Sequence, residues 1–188
     1  AAHANSASKS NTADVTIFAG GSRLYECMKL AIALFAISVS AAEPAQEFYT
    51  AYKKMKFEGL PNKAQLNKLA SYFSASLQSA IKSAQAQQAK CMKKHPDEKP
   101  MWIEGDLFTS NFEGFTTFKV AQVNSEKATV EFEYVENGQK VAWKDQLLFV
   151  AEKNKLVIDD FRFGNTAAFT SGYGESLKKS LTGVKGCD

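Results

Sequence analysis

Ala128-Thr-Val-Glu-Phe-Glu-Tyr-Val-Glu-Asn-Gly-Gln-Lys-Val-Ala-Trp-Lys-Asp145 is two alternating runs joined by a turn. Ala128, Val130, Phe132 and Tyr134 fall on one side of an extended chain, and Thr129, Glu131 and Glu133 on the other. That is the pattern of a strand with one apolar and one wet face. Asn137-Gly138 sits between the runs and is a strong hairpin signal, because both residue types tolerate the positive φ of a type I′ turn. Working outward, Phe115–Val123, Ala128–Val135, Lys140–Val150 and Leu156–Phe163 all read as strands, with Val150–Lys155 a second, looser hairpin connection.

Upstream of residue 100 the period changes. Phe48, Tyr52 and Met55 recur at three- and four-residue spacing from Pro44 to Glu58, an amphipathic helix stopped by Gly59. Pro61 opens a longer helical stretch in which Leu66, Leu69, Phe73, Leu77, Ile81 and Ala84 share a face, continuing towards Cys91. His95–Pro100 is a breaker-rich loop, and Gly174–Leu181 is a short terminal helix with Leu177 and Leu181 facing inward. Helices first and an antiparallel meander second give an α+β class, with N-terminal helices packed on one face of a curved antiparallel sheet.

The 188 residues are 45% hydrophobic and 23% charged, enough for one domain with a core and too few for two large ones. Fourteen Phe, six Tyr and two Trp argue against disorder, and a net charge of +3 makes no case for nucleic acid. Lys29, the uncharged run Leu30–Val39 and the small-residue exit Val39-Ser40-Ala41 follow the grammar of a secretory signal peptide cut after Ala41 or Ala42. The run spans roughly ten residues against the roughly 20 a membrane helix needs, so no stable membrane insertion is expected after cleavage; a buried core helix is the other reading. Residues 1–27 are read as an upstream extension or disordered leader, 28–41 as the signal peptide, and 42–188 as the single domain. Export to the periplasm or outside the cell would leave Cys91 and Cys187 as a pair, either bridged by a disulfide bond or as two free thiols.

Gly105-Asp-Leu-Phe-Thr-Ser110, Glu113-Gly114, Trp143-Lys-Asp145 and Ile158-Asp-Asp-Phe161 occur in this order after a signal peptide and two helices. In this the chain resembles the bacterial domain-of-unknown-function family 3828, small exported proteins assigned to the nuclear-transport-factor-two-like (cystatin-like) superfamily. The resemblance covers 42–188, with Leu156 standing where an aromatic is expected ahead of the aspartate pair. It implies a cone-shaped fold with a pocket between the helices and the concave sheet, used elsewhere for small ligands, isomerase or dehydratase chemistry, or protein contacts; fold does not choose among these.

His95 is the single histidine after residue 41, in a polar loop, and the cysteines lack Cys-x-x-Cys spacing, so no metal, cofactor or Ser-His-Asp apparatus is read. Strict alternation from Leu156 puts Ile158, Asp160 and Arg162 on one face and Val157, Asp159, Phe161 and Phe163 on the other. Whichever face is buried therefore carries one aspartate, either a desolvated general base or a structural ion pair. Asp145, beside Trp143, poses the same choice. Gly105-Asp106 and Glu113-Gly114 either line a ligand site or serve turn chemistry. The aromatics Phe112, Phe115, Phe118, Phe132, Trp143, Phe149 and Phe161 fill the core or wall a cavity. Lys53 reads as a solvated helix end. The pocket candidates are thus Asp106, Phe108, Trp143, Asp145, Asp159 and Asp160.

The expected function is a non-enzymatic periplasmic module binding a small ligand or an envelope protein, an inhibitor or immunity protein being one version; a homodimer is compatible with it. The alternative is a small isomerase- or hydrolase-like enzyme using Asp159 or Asp160. A roomy pocket holding a buried carboxylate beside a second polar group separates the two.

Overall fold

A computed structural model describes residues 40–55, 58–99, 102, 104–164 and 176–183. All of them belong to one compact unit, 37–188. The signal-peptide run 28–39 lies outside the described residues, as does Cys187 and with it the expected bridge to Cys91.

The fold is α+β. Helices α1 (Ala42–Lys53), α2 (Lys63–Leu69) and α3 (Ala75–Lys94) precede strands β1 (Thr117–Val123), β2 (Lys127–Glu136), β3 (Gln139–Glu152) and β4 (Lys155–Arg162), and α4 (Leu177–Thr182) follows. The strands form one antiparallel sheet in sequence order, as hairpin connections dictate. Asn137 (φ 49°) and Gly138 (φ 79°) make the expected turn. The second connection is as tight as the first: Glu152 pairs with Lys155, and Lys153 (φ 49°) and Asn154 (φ 65°) alone turn the chain.

α1 is shorter than the spacing suggests. Its end is tightened by Lys54 N–H donating to Ala51 O and Met55 N–H to Tyr52 O, three-residue bonds that close the last turn. The stretch from Pro61 to Cys91 is two helices rather than one. Asn62 and Gln65 form a reciprocal capping box for α2, a 3-10 turn follows at Ala70–Tyr72, and Phe73 is extended and bridged to Ile158 of β4. Ser74 then caps α3, accepting from Leu77 N–H at 3.0 Å, while its own N–H donates to Ile158 O at 2.8 Å. Leu66, Leu69, Phe73, Leu77, Ile81 and Ala84 are nonetheless all buried, because the break keeps the apolar stripe facing the sheet. Ser74→Ala removes this cap and a hydrogen bond to Asp159; a loss of about 1–2 kcal/mol in urea unfolding is expected, with a change under 0.3 kcal/mol assigning the break to packing alone.

β4 does not alternate strictly. Leu148 pairs with Asp160 but Phe149 pairs with Ile158, so Asp159 is the extra residue of a β-bulge. The bulge lets both Ile158 and Phe161 become fully buried, which simple alternation placed on opposite faces. The space between helices and sheet is closed by rings. Phe48 of α1 lies 4.9–6.0 Å, centroid to centroid, from Tyr49, Tyr52, Tyr72, Phe73, Phe108 and Phe161. Tyr49 meets Phe115, Phe118 and Phe132 at 5.0–5.6 Å. Edge-to-face and tilted pairs of this kind are the favoured geometry of packed aromatics.

Candidate functional site: a carboxyl-floored cleft at the end of helix α1

The segment 104–116 joins the helices to the sheet and is held by two carboxylates, its own Asp106 and Asp145 of β3. Gly105 (φ 80°) and Gly114 (φ 75°) supply conformations that L side chains rarely adopt. Asp106 N–H donates to Phe112 O at 2.8 Å, and Gly114 N–H to Asn111 O at 3.0 Å. Asp106 Oδ1 accepts from Phe108 N–H and from the Tyr52 hydroxyl of α1, each at 2.8 Å. Tyr49 Oη–H donates to Phe108 O at 2.9 Å. Further along, Asp145 of β3 accepts from Ser110 N–H (2.8 Å), Ser110 Oγ–H, Trp143 Nε1–H (3.1 Å) and Gly164 N–H (2.8 Å).

Between this segment and the end of α1 opens a cleft of about 460 Å³, with Tyr52, Asp106, Phe112, Glu113 and Phe115 among its walls. Asp106 is its floor. The residue is 9% exposed, and burial pushes its carboxyl up to about 7, against the hydrogen bonds from Phe108, Tyr52 and the Thr109 backbone. Oδ1 is already doubly engaged, so a proton on the group belongs on Oδ2, beside Gly114 at the cleft. Near neutral pH this is a carboxyl able either to donate or to accept at one oxygen.

Of the six pocket candidates, only Asp106 lines the cleft. Phe108 is a fully buried core ring. Trp143 is stacked on Phe132 at 5.3 Å. Asp145, 1% exposed, is raised by burial, and its four donors leave no free lone pair for chemistry. Asp160 accepts from Ser176 Oγ–H (2.6 Å) and Lys178 N–H (2.9 Å), so it anchors the start of α4. Burial alone would raise Asp159, but hydrogen bonds from Lys178 and Ser74, with the Lys178 charge, hold it below the ordinary carboxylate range. Both β4 aspartates are engaged by neighbouring elements: Asp159 meets Ser74 at the start of α3 and Lys178 of α4, and Asp160 meets Ser176 and Lys178 at the start of α4. The chain matches no protein-family model and no curated protein sequence.

Phe112, which the sequence leaves as core filler or cavity wall, is 53% exposed at the cleft mouth. It lies across Gly105, where a side chain at 105 would collide with the ring. Lys53, which reads in the sequence as a solvated helix end, lines the cleft while its ammonium donates to Thr116 O. A second groove of about 430 Å³ on the other side of the sheet includes Glu131, Lys144 and Arg162. Its charges are engaged with one another or with Asp160: Lys144 pairs with Glu131 at 2.6 Å, and Arg162 lies 3.6 Å from Asp160. Among the described residues no group of three or more His, Cys, Asp or Glu could hold a metal, and no helix is long and apolar enough to cross a membrane.

Proposed function

We propose that the chain is an exported protein that binds a small ligand in the Asp106 cleft, and that its helices and sheet form the cone of the nuclear-transport-factor-two-like superfamily. The observation that carries the binding reading is a contrast. The space between helices and sheet is filled by aromatic rings, while the cleft beside it stays open over a nearly buried carboxyl. Its volume lies in the range of small-molecule sites, on the order of 300–1,000 Å³. Its walls set the rings of Tyr52, Phe112 and Phe115 beside the charged side chains of Lys53, Glu58, Glu104 and Glu113. The Lys29-to-Ala41 segment supports export, and the Gly105–Ser110, Trp143–Asp145 and Ile158–Phe161 motifs support the family reading.

The test is a fragment screen by NMR on the ¹⁵N-labelled protein. Ligands that shift the Gly105 and Gly114 amides are expected; fragments that shift only residues elsewhere, or none that bind, contradict the reading. A second reading is favoured by one observation, the Asp106–Tyr52 pair at 2.8 Å with a carboxyl poised near pH 7. In it Asp106 exchanges a proton with the ligand at Oδ2 as a general acid–base. Turnover of a bound fragment, changing with pH around 7 and abolished by Asp106→Asn, selects this reading over simple binding.

A further inference from the structure

We infer that the cleft selects a small organic cation, a protonated amine on an aromatic or aliphatic body; the inference rests on the binding reading above. Among the described residues, the titratable lining is Glu58, Glu104, Asp106 and Glu113 against the single ammonium of Lys53. Lys53 is already committed to Thr116 O, and the exposed Lys99 pairs with Glu104. An anion entering the cleft meets carboxylates, whereas an ammonium is drawn to them. Two features independent of that charge point the same way. Asp106, 9% exposed, keeps its Oδ2 against Gly114 of the cleft wall. Phe112 holds a half-uncovered ring at the mouth, available because Gly105 carries no side chain. Aromatic faces attract cations and also cover the apolar part of an amine.

The groups facing Asp106 are Tyr52 and Lys53 from α1, Asp145 from β3, and Glu104 and Glu113 from its own segment. Burial holds the Asp106 carboxyl near 7, and a bound ammonium stabilises its ionised form. Binding therefore tightens as pH rises from about 6 to 8, a span over which an alkylammonium, like lysine, keeps its proton.

The experiment titrates the full-length protein, by ¹H–¹⁵N NMR, with three probes of one shape: phenethylammonium, 2-phenylethanol and phenylacetate. Phenethylammonium is expected to shift the Gly105 and Gly114 amides and to bind at least about tenfold more tightly than the other two, a margin that one charge-assisted hydrogen bond supplies. Asp106→Asn keeps an oxygen for Tyr52 and Phe108, and is expected to weaken the amine about tenfold and flatten its pH dependence. Glu113→Gln, at an exposed position away from the floor, is expected to weaken the amine two- to threefold and leave the alcohol unchanged, roughly what a screened surface charge contributes. Alcohol or phenylacetate binding at the same amides as tightly as the amine overturns the cation preference and leaves the binding reading standing. Silence from all three probes overturns the inference, and the fragment screen then judges the binding reading on its own.

Discussion

Asp145→Ala is expected to cost about 3–5 kcal/mol in urea unfolding at pH 7. The carboxylate is 1% exposed and accepts from Ser110 N–H, Ser110 Oγ–H, Trp143 Nε1–H and Gly164 N–H. It therefore ties the loop before the sheet, the middle of β3 and the chain just after β4 to one point. Truncation leaves several buried donors unpaired, at about 1–3 kcal/mol each before water enters the space. Asp145→Asn is expected to fall between wild type and Ala, since the amide keeps one acceptor but sets an NH₂ group against donors. A loss below 1 kcal/mol for the alanine variant would remove Asp145 from this role.

Asp106→Asn is expected to change the pH dependence of stability more than stability at low pH. The carboxyl titrates near 7 in the folded protein and near 3.9 in the unfolded chain. Between these values the folded state holds a proton that the unfolded state has released, so stability falls as pH rises through that window. The fall is complete above about pH 7 and amounts to at most about 4 kcal/mol. Asparagine has no such proton and retains an acceptor for Tyr52 and Phe108. The difference between variant and wild type should thus be small at pH 4 and favour the variant at pH 8. Measuring the difference removes the contribution of Asp145, which burial also raises. Parallel stability curves for the two proteins across pH 4–8 would show that Asp106 is not desolvated.

The strands were legible because their signals are local. Alternation from Ala128 to Tyr134 and the Asn137-Gly138 turn depend on neighbours along the chain. The helix break at Phe73 was hidden by its own regularity, since Phe73 continues the three- and four-residue apolar spacing from Leu69 to Leu77. Only the pairing of Phe73 with Ile158 reveals why it is extended. The bulge at Asp159 was equally silent, because two adjacent aspartates fit either face. Asp106 was within reach as part of a glycine-flanked loop. Tyr52 was not: its hydroxyl meets Asp106 across 54 residues of sequence, an approach that no local pattern encodes. Phe112 was open between core and cavity wall by its type, and Gly105, by letting the ring lie across the backbone, makes it a cleft wall.

The side-chain carboxyl ¹³C resonance of Asp106, followed by NMR from pH 4 to 9 in the unliganded protein, reads the floor of the cleft directly. A titration midpoint about 7 is the expected result. A midpoint near 4, the value of an aspartate in water, would mean that the group is solvated and that the cleft has no buried carboxyl to offer a ligand.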